Sequence, residues 1–456
     1  MELLKKYKIE IGIFVLALFA RTVLFFVCLH VNGGNVEDTV HGQDGYFDLS
    51  RNLLNGNGFS VHKDPPFLPY SYGVPGYPFF LSAILWLTGS YYVAGFIQIL
   101  IGSLIPVLGM FISRAIMPSF GRLAVTVGVL LALSPYQVLF SFIFYTEALF
   151  TALLGAFLLL YFRFLKSPSM RIAVWMGLLL GLATIVKPTV QYVFLIVAVF
   201  SLWHFRGQAV KNLKLKLVCF FLMFIFVLSP WIYRNYVVFG AVNLSSQVSF
   251  NMYGTLLPSV LSMDNRTSFD LEQKKLLALL PPEEYNSFGL SEKFSRMVTD
   301  EIISRPVAMI KLSFLSGFTF FTHDGMLTFL QAVGVTPESY LGKPAYLILL
   351  ESPLEFARIL WTYLHTSMSL VFFARLFWVA VMVFFFVGLY FIWRRRLISP
   401  ELLFSVIIVF YFMATTMVNG LSVNARFRMP VEPIIFAVSS AGLYFAWNRF
   451  GRREIQ

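Results

Sequence analysis

The sequence predicts an all-α polytopic membrane protein, and three observations predict it. Residues of the AVILMFWYC set make up 58% of the 456-residue chain, while Asp, Glu, Lys and Arg make up 13%, about half the charged share of an ordinary soluble domain. Apolar runs of about 20 residues, the length that crosses a bilayer as a helix, recur along the chain. The 51 Phe, 21 Tyr and 8 Trp suit lipid-facing and interfacial packing. This composition excludes a water-soluble enzyme. It also excludes a secreted disulfide scaffold, because Cys28 and Cys219 both lie inside apolar runs. The net charge of +12 does not point to nucleic acid, since its meaning here lies in where the charges fall.

Ten spans are expected, near 9–31, 92–113, 122–139, 146–164, 171–187, 189–204, 215–232, 368–393, 400–418 and 429–447. The first follows Lys5, Lys6 and Lys8 like a signal sequence. It is too long for a cleaved apolar region, carries Arg21 and lacks a small-x-small site, so it reads as an uncleaved span. Basic clusters at Lys5–Lys8, Arg114 with Arg122, Arg163–Arg171, Arg206–Lys216, Arg394–Arg396 and Arg449–Arg453 fall at every second connection. By the positive-inside rule this puts both termini in the cytoplasm. Residues 75–90 are apolar but short and rich in Pro and Gly, which predicts an interfacial or re-entrant helix. In 306–367 the apolar stretches are interrupted by charge. They are read as surface-lying amphipathic helices, the alternative being a pair of crossings. The chain thus divides into an N-terminal transmembrane module (1–232) whose first external connection is 32–91, an external or interfacial region (233–367) and C-terminal transmembrane helices (368–456).

The polar residues that need explaining sit on the external side. Asp44 lies between Gly42 and Gly45, glycines that let backbone approach a ligand closely. It precedes an amphipathic stretch at 46–54, for which it is alternatively an ordinary N-cap. Within that stretch Asp48 and Arg51, at i and i+3, read as a surface pair. Glu147, in Tyr145-Thr146-Glu147, is an ionisable group at a membrane boundary, the alternative being a first-turn carboxylate behind a Thr146 cap. Lys187 ends an apolar run before Pro188 and opposes the positive-inside trend, so it needs a partner or must snorkel. Arg234, Arg426 and Arg428 are further external cations at span ends. Together with Arg51 they suggest an anionic ligand from the outer leaflet, most simply a lipid phosphate. Arg21 and Arg375 lie within spans and read as structurally paired. His62, His323 and His365 share no metal-ligand spacing. There is no Walker loop or GxGxxG, so soluble nucleotides are not supported.

In this order the residues resemble the GT-C glycosyltransferases, the group related to protein O-mannosyltransferases and lipid A aminoarabinose transferases (glycosyltransferase family 39). The motifs are Gln43-Asp44-Gly45-Tyr46, Pro75-Gly76-Tyr77-Pro78, Ser134-Pro135 with Thr146-Glu147, Gly181-Leu182-Ala183 with Lys187-Pro188-Thr189, Pro230-Trp231 with Arg234-Asn235, and Arg426-Phe427-Arg428-Met429-Pro430. They cover about residues 9–445. The resemblance implies a GT-C-type bundle of about 10–12 spans with external amphipathic helices and loops. It implies an inner (plasma) membrane enzyme whose active site faces the external, periplasmic side. The donor would be a polyprenyl-phosphate-linked sugar and the acceptor a glycan, lipid or protein.

By the same resemblance Asp44 is the general base of an inverting displacement. Glu147 occupies the family's second acidic position, where it orients the acceptor, holds a basic phosphate ligand or, with Asp44, helps bind a divalent metal. Lys187, Arg234, Arg426, Arg428 and Arg51 are the candidate ligands of the donor phosphate. Many relatives carry a basic residue just before the PxY segment, where this chain has Ser71-Tyr72-Gly73-Val74. Lys63 is the substitute considered. Tyr253, Tyr285 and Trp361 are candidates for stacking on sugars, with interfacial anchoring as the commoner use of such rings. The competing reading is a flippase or transporter of a polyprenyl-linked sugar. That reading expects repeated halves and midplane polar sites, and the sequence shows neither. A GT-C scaffold without catalysis is the third, against which the retained Asp44 and Glu147 argue.

Overall fold

The computed structural model describes residues 6–279, 288–336, 348 and 352–450; Lys5, Tyr285, Arg452 and Arg453 lie outside them. The described chain is helical and packs as two compact units. One comprises Met1–Ser245, Val383–Phe412 and Met429–Gln456, the other Ser246–Met382 and Met413–Arg428.

In chain order the helices of the first stretch are α1 (Lys8–Val31), α2 (Val36–Val40), α3 (Tyr46–Leu54), α4 (Gly76–Thr88), α5 (Tyr91–Ile116), α6 (Leu123–Leu133), α7 (Pro135–Leu139), α8 (Glu147–Lys166), α9 (Met170–Val186), α10 (Val193–His204) and α11 (Leu213–Phe239). There follow α12 (Gln247–Asn251), α13 (Leu257–Asn265), α14 (Phe269–Leu277), α15 (Gly289–Ile303), α16 (Pro306–Thr322), α17 (Met326–Ala332) and α18 (Pro353–Leu364). The chain ends with α19 (Met368–Arg394), α20 (Pro400–Thr416) and α21 (Glu432–Phe450). Local chemistry sets many boundaries. Ser90 and Ser169 cap α5 and α9 by accepting from the Val93 and Ile172 amides. Gly89 and Gly240 close α4 and α11 in the left-handed region.

Each of the ten expected spans coincides with a helix. Seven helices among the described residues are long and apolar enough to cross a membrane, near 8–31, 91–116, 147–166, 213–239, 368–394, 400–422 and 429–448. The chain is an integral membrane protein. The expected spans at 122–139, 171–187 and 189–204 are shorter helices, and 122–139 departs most from expectation. Its regular part, α6, has 11 residues, which reach only about 16 Å at 1.5 Å each. The chain then continues as a buried connection, with Tyr136–Phe142 and Phe144–Ala148 all inaccessible.

Polar side chains within the bundle bond to that connection, leaving Arg21 Nη2 and Gln137 Oε1 as buried atoms without a hydrogen bond. Arg21, fully buried on α1, donates from Nε to Ser141 Oγ (2.8 Å) and from one terminal nitrogen to the carbonyls of Ala17 and Ala132 (3.2 Å each). Ser141 in turn donates to the Gln137 carbonyl (2.6 Å). Gln137 donates through Nε2 to Glu432 Oε2 (2.9 Å). Gln98 on α5 donates to the Ile143 carbonyl (2.9 Å). Irregular backbone at membrane depth is tolerated only when buried and satisfied in this way. The structural role expected for Arg21 is present, through hydroxyl and carbonyl acceptors.

Small residues set the helix crossings of the first unit, as is usual where lipid offers no hydrophobic drive between helices. A Cβ on Gly442 of α21 would run into the Phe384 carbonyl oxygen of α19, and one on Gly388 into the Val438 carbonyl oxygen. On α9, a Cβ on Gly181 would stand 2.8 Å from Val227 of α11.

In the second unit, Leu256, Val260, Ala308 and Leu312 form one core cluster and Tyr253, Leu257 and Val298 another. Tyr253 is buried there, its hydroxyl donating to the Leu276 carbonyl (2.7 Å), so its ring packs in a core rather than facing a sugar. Arg375 pairs with the buried Asp324 (2.7 Å), the structural pairing expected of it. Helix α18 is amphipathic, with Leu354 and Trp361 exposed.

Gly442→Ala is expected to lower the stability of the detergent-solubilised protein by about 1–3 kcal/mol, because the α19–α21 crossing must open. Gly12→Ala on α1, with nothing within 4 Å of the added methyl, should be neutral or slightly stabilising. Thermal unfolding of the two variants side by side checks this.

Candidate active site

The connection 41–45 hangs on the buried segment after α7. Phe144 donates its amide to the Val40 carbonyl (2.7 Å), and the Gln43 amide donates to the Tyr145 hydroxyl (2.9 Å). A Cβ at Gly42 would stand 2.8 Å from the Phe144 oxygen and 3.2 Å from the Tyr145 ring, so the approach needs a glycine. The N-cap of α3 is Gly45, left-handed at φ 74°, and no side chain caps this helix. Asp44 is therefore not the cap; it stands exposed on the loop before it. Its charge is felt at Tyr70, whose hydroxyl is pushed up by burial, then by Tyr72 and by Asp44.

Glu147 opens α8 with its side chain fully buried, and its Oε1 lies 2.9 Å from Lys187 Nζ. Thr146 occupies the cap position without a side-chain capping bond, while Glu147 does stand as a first-turn carboxylate of α8. Lys187 follows the last turn of α9, extended at φ −150° where Pro188 stops the helix, and its side chain is 16% exposed. Both helix dipoles favour the arrangement: the carboxylate stands at an N-terminus and the ammonium at a C-terminus.

Tyrosines join this pair to the Asp44 loop. Gly76, where α4 begins, packs so tightly on the end of α9 that a Cβ would lie 2.7 Å from Ile185 backbone. The next residue, Tyr77, is buried, donates to Gln98 Oε1 (2.5 Å) and lies within electrostatic reach of Glu147. Its ring is 5.1 Å from that of Tyr46, two residues after Asp44. Tyr77 and Tyr46 thus lie between the Glu147–Lys187 pair and the loop that carries Asp44.

The other candidate cations are placed differently. Arg234 donates to the Tyr70 carbonyl (3.2 Å) and to Asn235 Oδ1 (2.8 Å). Its guanidinium lies 4.7 Å from the Trp231 ring centroid, 4.8 Å from Phe239 and 5.6 Å from Phe59. It ties α11 to the first connection. Arg51 is exposed on α3 and its charge reaches Tyr91; Lys63 is exposed in the same connection.

Arg426 and Arg428 belong to the second unit. Arg426 is partly exposed, its amide bonded to the Asn424 side chain. Arg428 is fully buried. It donates to the carbonyls of Phe320, Phe321 and His323 (2.8–2.9 Å), closing the C-terminus of α16, and its guanidinium lies 3.4 Å from the Trp378 ring centroid. It is not carried into the phosphate-binding set below. His323 beside it accepts at Nδ1 from the Gly325 and Ala425 amides. Burial, then Arg375, pushes its imidazole down to about 4.

Among the described residues no three His, Cys, Asp or Glu side chains gather as a metal site. The Glu147 carboxylate faces an ammonium, against which a divalent ion on the same group would stand. Asp44 and Glu147 are the two carboxylates that a divalent ion would use, and of these Glu147 is engaged by Lys187. Tyr145, Gln98, Gln137 and Glu432 were not singled out from sequence. The signal available was an amide or carboxylate inside an apolar run, as at Gln98 in α5.

No family model matches the sequence, and no curated protein does. Among solved structures, the apo oligosaccharyltransferase of Archaeoglobus fulgidus matches all of this chain at a TM-score of 0.51 and 17% identity. The chain spans 52% of that protein, about half its length. ArnT from Cupriavidus metallidurans bound to undecaprenyl phosphate matches 95% of the chain and 78% of its own length, at a TM-score of 0.40 and 14% identity. The first likeness shows the fold: the chain shares the membrane helical bundle of that oligosaccharyltransferase, and its described residues are helical as expected from the sequence.

Lys187→Met is expected to destabilise by about 3–5 kcal/mol, since it strips a buried carboxylate of its ion partner. Glu147→Gln together with Lys187→Met should cost less than Lys187→Met alone. Denaturation in detergent reads both. His323 titrates lower folded than its ordinary 6.5, so the unfolded chain binds the proton first as pH falls. Stability should decline between about pH 6.5 and 4, and His323→Gln should flatten that decline in thermal scans.

Proposed function

We propose that this chain is a glycosyltransferase that moves a sugar from a polyprenyl-phosphate-linked donor to a glycan, lipid or protein acceptor at the external face of the plasma membrane. The observation that carries the reading is a buried carboxylate–ammonium pair, Glu147 with Lys187, linked through the Tyr77 and Tyr46 rings to the glycine-flanked loop that holds the exposed Asp44. The GT-C fold, shared with an oligosaccharyltransferase, supports it, as do the motifs that resemble family 39.

In the proposed step an acceptor hydroxyl attacks the anomeric carbon while Asp44 takes its proton. The bond from that carbon to the phosphate oxygen breaks, the electron pair leaving with polyprenyl phosphate and the configuration inverting. Negative charge grows on the departing phosphate, where a preorganised cation lowers the barrier most. Lys187 is that cation in this reading, fixed in place by Glu147. Arg51 and Lys63, exposed on the same connection as Asp44, meet the phosphate as it arrives. Arg234 acts indirectly, by holding the Tyr70 segment beside Asp44.

Purified protein in liposomes, given a panel of polyprenyl-phosphate sugars and an acceptor extract, should release free polyprenyl phosphate only when acceptor is present. Asp44→Asn should slow that release by roughly 10²- to 10⁴-fold without altering thermal stability. If no donor is consumed and labelled donor lipid changes leaflet equally in both proteins, the chain is a flippase and the reading fails.

A further inference from the structure

A second charged feature lies at the other end of the first unit. Helix α8 runs from Glu147 to Lys166, about 30 Å at 1.5 Å per residue. At its far end Lys166 pairs with Glu401 (3.5 Å), just after the C-terminus of α19. That C-terminus carries Trp393-Arg394-Arg395-Arg396. A cavity of about 610 Å³ opens there, lined by Trp393, Arg394, Arg396 and Ile398.

The backbone is built to present these side chains. The Arg396 amide donates to the Trp393 carbonyl (3.1 Å) and the Leu397 amide to the Ile392 carbonyl (3.0 Å). This closing turn places Arg396 in the left-handed region at φ 55°, where glycine is the usual residue. The three arginines are used unequally. Arg395 lies on aromatic faces, 4.7 Å from the Phe445 ring centroid and 6.0 Å from Phe391. Arg394 donates to the Tyr390 hydroxyl (3.1 Å) and shares the cavity wall with Arg396. No ion pair among the described residues involves any of the three. Trp393, 67% exposed, has the amphipathic indole favoured at the membrane interface.

We propose that this cavity binds the phosphate headgroup of an anionic phospholipid in the leaflet opposite Asp44. Two guanidinium groups take the phosphate oxygens, while Trp393 and Ile398 lie against the glycerol and the first acyl carbons. The same guanidinium chemistry would hold free phosphate, but the indole and isoleucine on the wall favour a ligand with an apolar end. The site stands about a bilayer thickness from the transferase site, so the inference does not depend on that function.

Native mass spectrometry of protein released from nanodiscs tests it, comparing phosphatidylcholine alone with phosphatidylcholine plus phosphatidylglycerol. Wild type should retain phosphatidylglycerol selectively. Arg396→Gly and Arg394→Gln should each weaken retention about fivefold. Arg396→Gly also relieves the left-handed strain, so it should keep or raise the thermal midpoint, which separates lost binding from lost folding. Equal retention of both lipids by wild type, or unchanged phosphatidylglycerol retention in both variants, would overturn the site. Inorganic phosphate displacing the lipid, and binding as well without it, would overturn the lipid in favour of the free anion.

Discussion

The connection from α7 to α8 is buried almost throughout, and the neighbourhood of Asp44 depends on what satisfies its polar groups. An unpaired amide or carbonyl at membrane depth costs several kcal/mol, and Arg21 of α1 and Gln98 of α5 each supply a donor to a backbone carbonyl here, Ala132 and Ile143. Its backbone supplies the Phe144 amide to Val40 and its side chain Tyr145 accepts from Gln43. Without those bonds the glycine loop would have no fixed seat. The position of the catalytic candidate is therefore set by interior hydrogen bonding one layer beneath it.

The ion pair at the head of α8 obeys the same economy of charge. A buried carboxylate is tolerable when its partner is fixed and further dipoles assist. The opposed helix ends at Glu147 and Lys187 supply both conditions. Other arginines that look alike in sequence are absorbed by the fold. Arg428 serves three carbonyls and a tryptophan face; Arg234 serves a carbonyl and three rings. Guanidinium groups suit such work because their planar fork meets several acceptors at once. The ammonium of Lys187, a compact charge, is placed beside a carboxylate instead.

The helices were legible in the sequence because hydropathy over twenty residues is a local property. All ten expected spans carry a helix, and the candidates Asp44, Glu147 and Lys187 stand out in the sequence as polar groups at apolar boundaries. The partnership of the last two was not legible, since forty residues separate them and only packing of α8 on α9 joins them. The length of α6 was misjudged for a related reason. Residues 134–139 are apolar enough to continue a helix, and what ends it is Pro135, whose missing amide and bulky ring break the ladder. Gln98, Gln137 and Glu432 escaped notice because each is harmless in its own window and acquires meaning only from the backbone it meets.

The order of residues in that buried network bears on how the protein is made. Arg21 and Gln98 precede the connection in the chain, so their side chains are in place when residues 134–146 leave the ribosome. When α6, of 11 residues, is made, the two side chains that donate to the Ala132 and Ile143 carbonyls have already been synthesised. Glu432 emerges almost three hundred residues later, so the amide of Gln137 must wait for α21. The bond from Gln137 to Glu432 is thus the last of this network that synthesis makes possible.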